Sequence, residues 1–281
     1  MANRNLVADL LAESPNRRGL LRKLGIASAA VAAGGVMKMA ADPASPTVVD
    51  VLQFALNLEY LEAEFYTVAT MGKTIDQVGI GIDGDGTPGA TTGGNAVNFS
   101  NNLLFTQSVA MEIGQDERAH VTLLRGALTK AGITPVAKPA IKLDALGIGF
   151  ANEGSFLTLA RVFEDIGVTA YAGAAGLPAV ANSPYIGTAA QILATEAEHV
   201  GNIRLQCARL GIATTALDGV DFPPPPSGPN FISADNTTGL VSVRTPGQVL
   251  FLAYGFAANV TSGGFYPSGV NGNLRTSSAS A

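Results

Sequence analysis

Both histidines in this 281-residue chain stand three residues after a glutamate, as Glu117-Arg-Ala-His120 and Glu196-Ala-Glu-His199. Each pair falls inside a long stretch of helical apolar periodicity, and a spacing of three puts both side chains on one helix face. Carboxylate and imidazole together suit iron, manganese or zinc. A single Glu-x-x-His is also how an exposed ion pair reads. Two that use every histidine in the chain are far more specific. They demand a fold in which two helices aim the same motif at one place.

Four long helices are predicted from periodicity and end signals. The first starts at Ser45-Pro46-Thr47 and runs to about Thr70, before Gly72. The second runs from near Ser100 to Ala131, before Gly132. The third runs from near Asn152 to Gly176-Leu177-Pro178. The fourth runs from Ser183-Pro184 to Leu210, before Gly211. Pro just inside a start and Gly just past an end follow the usual asymmetry. A 24-residue helix is roughly 36 Å long. The link at 132–151 could extend to roughly 65 Å, enough to cross the whole bundle. The link at 176–183 is short, so helices three and four are expected to be antiparallel neighbours. The expectation is an all-α four-helix bundle over 45–216 with one long crossover. Residues 217–281 form a Pro- and Gly-rich C-terminal extension: a stiff polyproline-type spacer at Pro223–Pro226, then one short helix near 247–259.

A two-metal site in such a bundle needs one glutamate from each of the remaining helices. Glu59 and Glu164 fit, each with a tyrosine seven residues on, Tyr66 and Tyr171, on the same face. The histidine helices also match one another, with Arg125 and Arg204 each five residues after the histidine. The chain therefore reads as two related helix pairs, with two metals about a pseudo-twofold axis. Six groups, Glu59, Glu117, His120, Glu164, Glu196 and His199, are expected at one level. Four crowded carboxylates repel one another, and two divalent cations, iron or manganese, would cancel the charge. Glu62, one turn from Glu59, is an extra or alternative ligand, but the internal repeat matches it to Gly167, which favours Glu59. Asp116 and Thr195 each precede a ligand glutamate and could accept a proton from the opposite histidine. Tyr66 and Tyr171 could serve as hydrogen-bonding or redox groups. Glu64 is read as a surface charge, Arg125 and Arg204 as partners of acidic neighbours. Asp83-x-Asp85-x-Thr87 is read as an acidic turn, since it lacks the later glutamate of a calcium loop.

Residues 1–44 read as a targeting segment. Arg17-Arg18, followed by Leu20-Leu21-Arg22, resembles a twin-arginine export signal, and the uncharged stretch 24–36 is too short for a stable membrane span. The mature chain would then begin near residues 42–46 and work in the periplasm or outside the cell. A net charge of −5 without a basic run argues against nucleic acid as a partner. With 47% hydrophobic and 14% charged residues, a well-buried core is expected. The single cysteine, Cys207, excludes an internal disulfide and is read as a small core residue.

The segments Ala55–Tyr66, Glu117–His120, Phe163–Tyr171, Ile192–His199 and Thr245–Pro267 resemble the exported bacterial ferritin-like domain proteins, a group related to plant desiccation-associated proteins. The resemblance spans about residues 45–270. It implies a ferritin-like fold and a two-metal centre held by the same six residues. Two histidine ligands imply a bacterioferritin- or rubrerythrin-like centre over a storage-type one. Three functions remain open: an oxidoreductase acting on dioxygen or peroxide as small-molecule oxidant, a metal-binding or storage protein without turnover, or a structural desiccation- or stress-protective protein. Assembly into a homo-oligomer is compatible with each.

Overall fold

A computed structural model describes residues 45–99 and 104–280. The twin-arginine segment and the expected start of the second helix at Ser100 lie outside them. Four long helices form the frame: α1 (Val48–Met71), α2 (Leu104–Lys130), α3 (Glu153–Ala175) and α5 (Ile186–Arg209). Between the last two lies a single turn, α4 (Pro178–Ala181), and near the C-terminus lies α6 (Pro246–Ala253).

The helix starts follow local chemistry. Thr47 caps α1 in a reciprocal box with Asp50, and Thr245 does the same for α6 with Gln248. Asn152 caps α3 through the Ser155 amide. Gly72 closes α1 in the left-handed conformation, which costs glycine little. α5 begins at Ile186, slightly after the expected Ser183-Pro184, because Val180 O holds the Ser183 amide and hydroxyl in the turn that ends α4. α6 ends at Ala253 rather than near 259. Gly255 and Phe256 turn left-handed there, with φ of 75° and 65°, which a right-handed helix cannot follow.

α1 packs chiefly on α2, and α3 on α5. Leu52 near the start of α1, Ala127 near the end of α2, Ala174 at the end of α3 and Ala189 at the start of α5 line one cavity. Those four ends therefore lie together. α1 and α5 run away from that end of the bundle, and α2 and α3 run toward it. A chain leaving α2 there must travel the bundle's length to begin α3, so the 132–151 link is the long crossover. Its path along α1 is visible in its bonds. The Gln53 side chain holds Thr134 O and the Val136 amide, the Tyr60 hydroxyl meets Val136 O, and Phe150 packs edge-on against Phe65.

The 132–151 link also pairs with the link that follows α1, residues 72–97. β1 (Thr91–Thr92) and β2 (Ile141–Lys142) form a short parallel ladder, a detail that helical periodicity did not predict. Together the links cover the face of α1 opposite its partner helices. α1 is consequently buried from Gln53 to Ala69 without a gap.

That cover corrects the reading of Glu64. It is fully buried, not a surface charge: Lys138 Nζ lies 3.2 Å away, and the Ile75 amide and Thr91 hydroxyl donate to it. The run Pro223–Pro226 is also corrected. Instead of extending as a spacer it turns back, with the Ser227 and Gly228 amides both bonded to Pro224 O. Cys207 is buried, its thiol facing Leu157 O.

The C-terminal segment is stitched into the bundle. The Tyr266 hydroxyl donates to Asn57 O of α1 at 2.7 Å, and the Arg244 amide to Thr169 O of α3 at 3.1 Å. Arg244 is itself held by Asp218, at 2.7 Å, and by the Thr169 hydroxyl. No helix among the described residues is long and apolar enough to cross a membrane.

Candidate metal centre

All six predicted residues converge midway along the bundle. Ligand-type atoms of Glu59, Glu117, His120 and Glu196 lie within 4.8 Å of one another, and so do those of Glu117, Glu164, Glu196 and His199. Glu117 and Glu196 belong to both groups. Each group then has one glutamate and one histidine of its own: Glu59 with His120, and Glu164 with His199. The two histidine rings lie 6.3 Å apart. This is the pseudo-twofold arrangement that the matched helix pairs predict.

Both imidazoles present Nδ1 to the carboxylates. His120 Nδ1 lies 3.2 Å from Glu59, 3.4 Å from Glu117 and 3.6 Å from Glu196. His199 Nδ1 lies 3.0 Å from Glu117 and 3.3 Å from Glu164. The i, i+3 spacing on α2 places Glu117 beside His120 on one face, so both meet the same space.

Burial and crowding set the charges. Burial lifts the Glu59 carboxyl to about 7 against the pull of His120. Glu62 and Glu196 are pushed well above the usual carboxylate range, by burial first and then by neighbouring glutamates. Burial also raises Glu164, opposed by His199. Glu117 is the exception. Burial works against its charge, but the two histidines on either side outweigh it and draw it down to about 2. The histidines respond in kind. Burial disfavours their charged forms, yet the glutamates lift His120 to about 11 and His199 to about 12. In the metal-free protein two imidazolium rings thus supply the positive charge at the centre of the cluster.

Hydrogen bonding leaves the cluster incomplete. Glu117 Oε1, Glu164 Oε2, both oxygens of Glu196 and His199 Nδ1 are buried without an aligned partner. Buried acceptors are ordinarily satisfied. These converge from α2, α3 and α5, and a mixed carboxylate–imidazole set is the donor chemistry of iron, manganese or zinc. The residues fit a pair of divalent metal ions.

The surrounding groups hold the outer atoms of the cluster. Tyr66 donates to Glu164 and Tyr171 to Glu59. Each tyrosine shares a face with its own helix's glutamate, as the spacing predicts, but it bonds the glutamate across the bundle. Helical side chains lean toward the N-terminus. A phenol seven residues on therefore leans back over the site and meets the opposite helix. Asp116 Oδ2 lies 3.2 Å from His199 Nε2 and is partly exposed. Thr195 does not mirror it, since its hydroxyl turns back to Gln191 O on its own helix. Glu62 points toward the cluster but stands outside both four-residue groups.

Two features beside the site were not anticipated. A Cβ at Gly167 would collide with Glu196 Oε2, so this glycine makes the room that the Glu196 carboxylate occupies. The repeat that aligns Gly167 with Glu62 carried that signal. The second is a buried ionic network. Arg204 binds Asp165 at 2.9 Å, and Arg161 binds both Asp165 and Asp221. Arg204 pairs with an acidic neighbour as predicted. Arg125 instead meets the Tyr60 hydroxyl and Asp83 O.

Residues 47–208 match the family model for the ferritin-like domain. Ferritin-like catalase Nec2 from Nesocodon mauritianus is 23% identical over 273 residues, covering 80% of this chain and 84% of that protein.

Proposed function

From the premise that this chain belongs to the ferritin-like domain family, we propose that it holds a carboxylate-bridged pair of iron or manganese ions that acts on peroxide or dioxygen. The observation that carries this reading is the sharing of Glu117 and Glu196 between two otherwise separate four-residue groups. A shared carboxylate is what bridging two ions requires. Glu59 and His120 would complete one ion's set, Glu164 and His199 the other's. Glu62 would act as an extra or alternative ligand.

Iron or manganese bound there would supply two neighbouring one-electron couples, matching the two-electron change when peroxide becomes water. The protein's own residues do the rest. Tyr66 and Tyr171 fix the outer oxygens of Glu164 and Glu59. Asp116 accepts the Nε2 proton of His199, keeps its Nδ1 available for metal, and connects the ring to solvent. The apolar helix faces keep bulk water out. The relative named as a catalase supports peroxide over dioxygen.

Export by the twin-arginine route, which carries folded proteins, belongs to the same reading. It rests on Arg17-Arg18 and the uncharged stretch after it. Metal would be loaded before export, and the protein would protect against oxidative stress outside the cytoplasm.

Oxygen-electrode assays of the metal-loaded protein with hydrogen peroxide test the activity. One dioxygen released per two peroxides, over many turnovers, supports it. A single oxidation event that then stops would leave metal binding without turnover.

A further inference from the structure

The two halves of the centre match in every ligand but differ at the residue before each shared glutamate. Asp116 precedes Glu117 on α2, and Thr195 precedes Glu196 on α5. The matched helix pairs relate these two positions to each other. Asp116 reaches across to the histidine of the other pair, its Oδ2 lying 3.2 Å from His199 Nε2. Thr195 does not return the bond. Its hydroxyl donates to Gln191 O, and among the described residues no group bonds His120 Nε2.

Two imidazoles that look alike from the carboxylate side are therefore held differently from behind. Both present Nδ1 to the glutamates, His199 at 3.0 and 3.3 Å and His120 at 3.2, 3.4 and 3.6 Å. A carboxylate on the far nitrogen fixes the tautomer that leaves Nδ1 open, restrains the ring and makes it a stronger donor. His199 gains all three from Asp116, and His120 has no such partner among the described residues. Partners of this kind ordinarily change metal affinity roughly 10–100-fold. Because 42% of the Asp116 side chain is exposed, water competes for its oxygens. That sets the effect at the lower end, about tenfold.

The rest of the cluster does not offset this difference. Tyr66 and Tyr171 serve the two outer glutamates alike. Glu62, matched in the repeat by Gly167, is a second departure from symmetry, but it favours neither half. It stands outside both four-residue groups, and its carboxylate lies near that of Glu196, which both halves share.

We infer that the two metal positions are unequal: the one at Glu164 and His199 fills first and holds its ion more tightly, with Asp116 as its positioning residue, and the one at Glu59 and His120 holds the exchangeable ion. This order rests on the two-ion centre proposed above. Protein short of metal would carry a single ion, on the His199 side.

Anaerobic titration of the metal-free chain with manganese(II), and separately with iron(II), in competition with a chromophoric chelator reads the order. The unaltered chain should bind two ions in steps about tenfold apart. Asp116→Ala should weaken the first step about tenfold and leave the second in place, so that the two merge. Thr195→Asp puts a carboxylate at the matched position and should strengthen the second step about tenfold, closing the gap from the other side. Both positions are only half-buried, so both variants should keep the circular dichroism of the parent. His120→Ala, which keeps the Asp116-supported position, should bind its remaining ion more tightly than His199→Ala binds its own. Equal affinity for both ions in the unaltered chain, a gap that neither Asp116→Ala nor Thr195→Asp narrows, or tighter binding by His199→Ala than by His120→Ala would overturn the order and leave the two-ion centre standing. A folded chain that binds neither metal would overturn the proposed function, and this order with it.

Discussion

Tyr171 on α3 donates its hydroxyl to Glu59 on α1, from one helix pair to the other. Tyr66 returns the same bond in the opposite direction, from α1 to Glu164 on α3. Each outer glutamate is therefore aimed by a residue of the other helix pair. The two halves of the site cannot move independently.

Tyr171→Phe should free Glu59 while leaving the ring's packing intact. We expect metal affinity to fall about tenfold at the half holding Glu59 and His120, and little at the other half. Competitive titration with a chromophoric chelator resolves the two sites. Tyr66→Phe should show the mirror result.

Gly167→Ala adds one methyl group where Glu196 Oε2 lies. Glu196 belongs to both groups, so displacing it should lower affinity for both ions together. The variant should remain folded by circular dichroism, since the collision is with the end of a side chain and not with backbone. Loss of one ion alone would show that Glu196 is not shared.

The pH dependence of the metal-free protein should run opposite to that of an ordinary acid-sensitive fold. Glu59 titrates near 4.5 when unfolded and at about 7 when folded. The folded state therefore holds the extra proton between those values, and rising pH across that window favours unfolding, by on the order of 3 kcal/mol for this group alone. His120 and His199 act with the same sign. Their contribution is complete below 6.5 and is lost as pH climbs toward about 11 and about 12. Glu117, lowered to about 2, contributes above 4.5 and loses that contribution only as pH falls toward 2. Calorimetry should find the metal-free melting temperature falling from about pH 5 to about pH 9. Metal displaces the protons, so the gap between loaded and metal-free protein should widen as pH rises.

Arg204 is buried and bonds Asp165, Phe222 O, Asn230 O and Phe231 O. Arg204→Met would leave Asp165 with only Arg161 and strand three carbonyls. A loss of about 3–5 kcal/mol is expected, read by denaturant unfolding. Metal content at saturating metal should be unchanged in the folded fraction.

The frame and the centre were legible for a physical reason. Capping residues such as Thr47 and Asn152 act locally, and two histidines on matched helices leave few ways to use them. The parts that were not legible depend on chain distant in sequence. Glu64 looks like a surface charge until Lys138 and Thr91, from two different links, close over it. The spacing of Tyr66 places it on the face of Glu59, yet its bond is decided by which helix stands opposite. Gly167 is intermediate: its match to Glu62 in the repeat was visible, but what the missing side chain makes room for was not.

The central claim is that six residues hold two ions. Elemental analysis of protein purified after folding in the cytoplasm, set beside His120→Ala and His199→Ala, tests it most directly. The account predicts close to two iron or manganese ions per chain, and about one in each histidine variant. A stably folded protein that carries no metal, or histidine variants that keep both ions, would contradict it.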